Sequence, residues 1–251
     1  MKTSNHLLRR LTAALLAAVL ALSIALPVFA SDDGDTIYIN SVSDLLSLAK
    51  SCAYDQWSVG KTVILQKDLS LEGMLWEPIP SFSGQFKGNG HTISDLTITG
   101  QYSPAGLFGI VEEQGSIESL SVRGIVSVSD SADTTTGGIV GINHGTLINC
   151  QFTGVVTGDS EVGGIVGRNE SEGTIDHSTA RAIVTGKSST GGIAGYNLGA
   201  ITGCTNVGSI NTEYPEASLD TDGFTAKMVD YINNKMAAAN DDATNSVTNV
   251  A

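Results

Sequence analysis

Between residues 105 and 211 the apolar positions return at long, nearly constant intervals, carried by short segments with glycine between them. AGLFG begins at Ala105, GGIVG at Gly137 and again at Gly163, and GGIAG at Gly191. Each is followed by a glycine-led block, opened by Gly115-Ser116-Ile117, Gly145-Thr146-Leu147, Gly173-Thr174-Ile175 and Gly199-Ala200-Ile201, and then by a third apolar stretch around Val126, Val156, Val184 and Ile210. Such a unit reads as three short strands separated by turns. One unit cannot bury its own apolar face, but stacked units bury a continuous column. Four inward columns follow: Leu107, Ile139, Ile165, Ile193; Ile117, Leu147, Ile175, Ile201; Leu120, Cys150, Ser178, Cys204; and Val126, Val156, Val184, Ile210. Asn143, Asn169 and Asn197 align at the first turn, where stacked side-chain amides would bond along the axis as an asparagine ladder.

The pattern predicts an all-β chain, a right-handed parallel β-helix of three-strand coils with short helical caps at both ends. At the N-terminal end, Ile37-Tyr38-Ile39 is strand-like, and Ser41 with Asp44 offers a capping box for a helix over about 42–53. Thr62 to Gln66 reads as another strand. Beyond Ile210, Phe224, Met228, Ile232 and Met236 fall four apart, the face of a second helix, before a polar tail from Asn240.

The blocks at 105–111, 137–143, 163–169 and 191–197 resemble the GLUG motif, a repeat of bacterial exported and surface proteins. Trp76-Glu77-Pro78-Ile79 and Phe82 to Leu96 resemble the segment that commonly precedes such repeats. The resemblance implies a fold and a compartment and no particular activity.

Composition agrees with tight turns: of 29 glycines, 21 fall between Gly106 and Gly208. The N-terminus reads as an export signal, with Lys2, Arg9 and Arg10 ahead of an apolar run from Leu11 to Leu26 and a Val28-Phe29-Ala30 cleavage site. That run is short for a membrane span, so no insertion is expected after cleavage. The expected division is a signal peptide at 1–30, an N-terminal cap and first coils at 31–104, GLUG-type repeats at 105–211, and a linker, helix and tail at 212–251. Removing the leader's three positive charges takes the net charge from −13 to −16, which disfavours nucleic acid as a partner.

Catalytic, cofactor and metal sites are not expected. His6, His91, His144 and His177 are scattered and none precedes a Glu, so the zinc-peptidase pattern is absent. Asp130, Asp133, Asp159 and Glu161 lack the alternation of a calcium loop. Arg168, Glu170, Glu172, Asp176, His177 and Arg181 form the densest charged cluster and read as a solvated turn. Trp57, Trp76, Tyr102 and Tyr196, the aromatics a glycan site would use, fall in different segments. Cys150 and Cys204 share a column with Ser178 between them, a separation of roughly 9.6 Å at two coil spacings, beyond the reach of a disulfide.

Three roles remain: a secreted or surface-held adhesion or recognition module with a protein or glycan partner, a carbohydrate-active β-helix enzyme, and the stalk of a longer surface protein. If Ile139, Ile165 and Ile193 point inward, strict alternation sends Phe108, Ile110, Val140 and Ile142 outward. That stripe is the candidate contact face, to be covered by the C-terminal helix, by a partner (a second copy included), or by loops such as Ser127 to Thr136.

Overall fold

The computed structural model describes residues 35–54, 56–128 and 134–211. From Thr36 onward they belong to one unit, a parallel β-solenoid of about 6 turns with one helix. The expected signal peptide, Asp130, Asp133 and the Phe224–Met236 segment lie outside the described residues.

Every strand pairing is parallel and joins one coil to the next. Sheet I stacks seven strands: Thr36–Ile39, Thr62–Leu65, Gln85–Lys87, Ser116–Glu118, Thr146–Ile148, Thr174–Asp176 and Ala200–Thr202. Sheet II stacks Ile79–Phe82, Phe108–Val111, Val140–Asn143, Val166–Asn169 and Ala194–Asn197. Sheet III runs from Leu69–Ser70 through Thr92–Gly100, Ser121–Val128, Gln151–Thr157 and Thr179–Thr185 to Thr205–Asn206, with Ser209–Ile210 paired beside it.

The inward columns are those the periodicity predicts. Phe86, Ile117, Leu147, Ile175 and Ile201 stand in one register, and Ile98, Val126, Val156, Val184 and Ile210 in another. All but the last member of each are fully buried. Phe82, Phe86 and Phe108 meet inside the early coils with ring centroids 5.4–6.3 Å apart, an edge-and-tilt geometry favoured by the aromatic quadrupole.

The corner from sheet I to sheet III is a single left-handed residue in successive coils: Ser119 (φ 52°), Asn149 (φ 52°), His177 (φ 46°) and Gly203 (φ 62°). The next residue starts the third column. There Cys150 donates its thiol to the carbonyls of Ile148 and Ile117, each at 3.4 Å. Cys204 lies two coils away with Ser178 between, and all three cysteines are free.

A fourth, three-stranded ladder extends the expected coil. Sheet IV stacks Thr135–Gly137, Glu161–Gly163 and Thr190–Gly191. Each GGI(V/A)G segment is therefore split. Its first glycine ends a sheet IV strand, the chain bends at the next two residues, and the last two enter sheet II. Sheet IV lies against the outer face of sheet II, where glycine permits two backbones to approach. A Cβ on Gly167 would stand 2.6 Å from the Thr136 nitrogen, and one on Gly195 2.3 Å from that of Val162.

The helix Val42–Ser51 follows from its capping box. Ser41 Oγ accepts from the Asp44 amide at 3.2 Å, and Asp44 accepts from the Asn40 amide at 2.9 Å. Leu45 and Leu48 are buried against the core.

Candidate functional site

The four residues expected to form the contact face separate into two pairs. Phe108 and Val140 are 0% exposed, with the Phe108 ring among the core aromatics. Ile110 and Ile142 are half-buried at the surface. Strict alternation fails here for two reasons. The bend at Gly138-Ile139 puts Ile139 and Val140 consecutively into the core. Within sheet II the pairing then joins Val140 to Val166 and Ile142 to Arg168 and skips the glycines between, so Asn143 also faces inward. Gly141 is covered by the chain itself, since a Cβ there would meet Pro104 at 2.5 Å and the Ala105 nitrogen at 2.8 Å. Thr134, Thr135 and Thr136, from the loop considered as a shield, are buried.

What reaches the surface of sheet II is one column across five coils: Ser81, Ile110, Ile142, Arg168 and Tyr196. Arg168 is pinned there. Its Nε donates to Glu161 Oε2 at 2.6 Å and its Nη2 to Glu161 Oε1, while Nη1 lies 3.5 Å from Glu170 and the guanidinium 5.1 Å from the Tyr196 ring centroid. The bonds to the Glu161 carboxylate push the Arg168 pKa further up. Thr135 Oγ1 donates to the same Glu161 at 3.1 Å, so this bidentate pair ties sheet IV onto sheet II.

Beside this column the chain turns from sheet II into sheet I, and the turns alternate in length. Two residues, Ser83-Gly84, connect the strands in one coil and four, Glu112 to Gly115, in the next. His144-Gly145, Glu170 to Gly173 and Leu198-Gly199 continue the alternation. Backbone bonds hold the flanking residues in common register: Glu112 N to Phe82 O, His144 N to Val111 O, Thr146 N to Gly115 O and Thr174 N to Gly145 O. The two additional residues of each long turn must therefore project, and Glu113-Gln114 and Ser171-Glu172 are all exposed. The loop through Gln56 to Gly60 occupies the corresponding place ahead of the Thr62–Leu65 strand.

A cleft of ≈ 460 Å³ opens along this edge, lined by Gln56, Val59, Ser81, Ser83, Glu112, Glu113, Gln114 and His144. Ser81 Oγ donates to Glu112 Oε1 at 2.8 Å, which fixes that carboxylate. Sequence reasoning missed the cleft, although a signal exists: one residue separates Asn143 from the next glycine and three separate Asn169 from it. Tyr54, also overlooked, is 74% exposed two positions before Gln56. Of the aromatics singled out earlier, Trp76 is buried with Nε1 donating to the Leu107 carbonyl at 3.1 Å, and Trp57 is half-buried under Lys61.

The charged cluster of the third repeat is divided among local pairs. Arg168 engages Glu161 and Glu170, Asp176 pairs with His177 Nδ1 at 2.8 Å, Glu172 accepts from Ser171, and Arg181 sits on sheet III. The Ser171 hydroxyl holds the Glu172 carboxyl below its ordinary range. Asp159 pairs with Lys187. Among the described residues no group of three or more His, Cys, Asp or Glu side chains could hold a metal ion.

The model of the GLUG motif matches residues 158–185, which run through one coil from the Glu161–Gly163 strand to Thr185. Halomucin of Haloquadratum walsbyi is 34% identical over 155 residues, covering 57% of this chain and 2% of halomucin. A protein of Evansella cellulosilytica, provisionally named a Gly-rich membrane protein, is 30% identical over 137 residues, or 39% of this chain and 16% of that protein. The chain thus spans a small part of either relative. A solved structure, a candidate immunoglobulin A1 protease from Bacteroides ovatus, aligns over 73% of this chain and 79% of its own at 15% identity, with a TM-score of 0.45. The matched coil stacks in register on the coils before and after it, so the GLUG motif at residues 158–185 is one member of a continuous repeat stack.

Proposed function

We propose that this chain is an exported, non-enzymatic recognition module that holds a protein or glycan partner at a cell surface. The observation carrying this reading is the surface column Ser81–Ile110–Ile142–Arg168–Tyr196, fixed on stacked strands, beside an open polar cleft in the turns that leave them. Sites on such elements are held more rigidly than sites on free loops. In this reading residues 1–30 are the export signal, 31–104 the cap and first coils with Val42–Ser51 closing the end, 105–211 the recognition repeats, and 212–251 a linker, closing helix and tail. The coil winds right-handed, as parallel crossovers do, on three main strands. Two relatives named a halomucin and a membrane protein favour a surface location. A binding screen of glycans and surface proteins, run with a reducing-sugar assay, tests it. Saturable binding without turnover is expected, and turnover of any polysaccharide overturns the non-enzymatic reading in favour of a β-helix enzyme using the cleft carboxylates.

A further inference from the structure

We propose that the turn edge beside sheet II is a track for a linear, non-acidic polysaccharide lying along the solenoid axis; the inference rests on the recognition reading above and names its ligand class. The alternation of turn lengths makes three ridges, at Gln56–Gly60, Glu112–Gly115 and Glu170–Gly173, with two grooves between them floored by Ser83-Gly84 and His144-Gly145. Ridges stand two coils apart, roughly 9.6 Å at the strand spacing of about 4.8 Å. That repeat is the length of one disaccharide unit in an extended β-linked chain. Successive disaccharides would therefore meet a recess of the same depth in successive grooves, and two shallow sites joined by one ligand reinforce each other.

The lining suits hydroxyl groups. Glu112 is held by Ser81 with its carboxylate at the cleft, while Glu113, Gln114, Gln56 and His144 make no side-chain hydrogen bond to any described residue and keep their capacity for a ligand. Carboxylates and amides accept from and donate to vicinal hydroxyls and orient a sugar in a polar cleft. The ridges carry Glu112, Glu113, Glu170 and Glu172 in an acidic protein, so a uronic or sulfated chain would be repelled.

The test uses the full chain and calorimetric titration with cello-oligosaccharides, chitosan oligosaccharides and oligogalacturonates of two, four and six units. Affinity should rise steeply from dimer to tetramer for a neutral or amino-bearing chain and be absent for the acidic one; which of the first two binds identifies the source. Deleting Glu113-Gln114 converts a four-residue turn to the two-residue form already present at His144-Gly145, so the fold has a precedent for it. The deletion should weaken tetramer binding at least about tenfold with an unchanged melting temperature. Gln114→Ala with Glu113→Gln, which keeps the turn length, should give a smaller loss and guards against misfolding of the deletion. Equal binding of the acidic chain, affinity independent of length, unchanged affinity in both variants, or no binding of any hexamer at millimolar concentration overturns the proposal. If the hexamers fail while the surface screen finds a protein ligand, the track is wrong and the recognition module stands. Reducing-sugar release would instead remove the recognition reading.

Discussion

Asn143 Nδ2 donates to Asn169 Oδ1 at 2.7 Å, and Asn169 passes the same bond to Asn197 at 2.8 Å. Each amide also closes its own turn, on the carbonyls of Gly145, Gly173 and Gly199 respectively. The ladder starts abruptly: Val111 precedes Asn143 in the column, and Asn143 Oδ1 is buried without a partner. Asn169 is the central rung. Asn169→Ala should cost about 2–4 kcal/mol, because it strands a buried amide proton and the Gly173 carbonyl. Asn197→Ala, at an exposed rung, should cost no more than about 1 kcal/mol. Equal losses in urea unfolding would mean the ladder is not a cooperative support.

Sheet II separates its neighbours by which way they face. Val140→Thr places a hydroxyl in a fully buried column and should lower stability by about 1–3 kcal/mol. Ile142→Lys, one coil before Arg168 in the surface column, should leave the melting temperature nearly unchanged while weakening any partner held there. A large drop in melting temperature for Ile142→Lys would place that side chain inside.

Gly167 is where two backbones touch. Gly167→Ala should destabilise by more than about 3 kcal/mol, since two of the three nearest atoms, the Thr136 nitrogen and the Gly141 oxygen, are main chain and cannot move aside alone. Gly73→Ala meets open space and only the strain of a positive φ, about 1–2 kcal/mol. Thermal unfolding of the two variants checks the order.

Burial pushes the Cys150 thiol up to about 12 and the Cys52 thiol up to about 11 from an ordinary 9.0. The folded state thus keeps these protons while the unfolded chain releases them. Their contribution to stability is intact below pH 9 and is lost as pH rises toward 11 and 12, at about 1.4 kcal/mol per pH unit for each thiol. Cys150→Ser, which copies the side chain Ser178 provides in the same column, should flatten the decline measured by urea unfolding between pH 8 and 11. At neutral pH an alkylating reagent should reach half-buried Cys204 first.

The core columns were legible because burial selects side-chain type at every repeat: Ile117, Leu147 and Ile175 could be aligned by eye and stand in one register. Cys150 and Cys204 were legible in the same way. Sheet IV was not. Thr135-Thr136-Gly137 has no apolar alternation, and its position depends on what its neighbour lacks, the Cβ atom missing from Gly167. The contact face was misjudged for the same reason, since alternation along Ile139 to Ile142 presumes one unbroken strand. The cleft is a property of turn length, which the spacing of Asn and Gly records but which no apolar pattern marks.

The alternating turns give the inside and outside of this molecule different periods. The core counts in single coils, so the gain or loss of one repeat leaves every buried column intact. The outside counts in pairs, so the same event puts two ridges or two recesses side by side and shifts every feature beyond it by half a period. Growth that conserves the outer face must proceed two coils at a time, and a chain lengthened by an odd number of repeats would fold equally well while presenting a different surface.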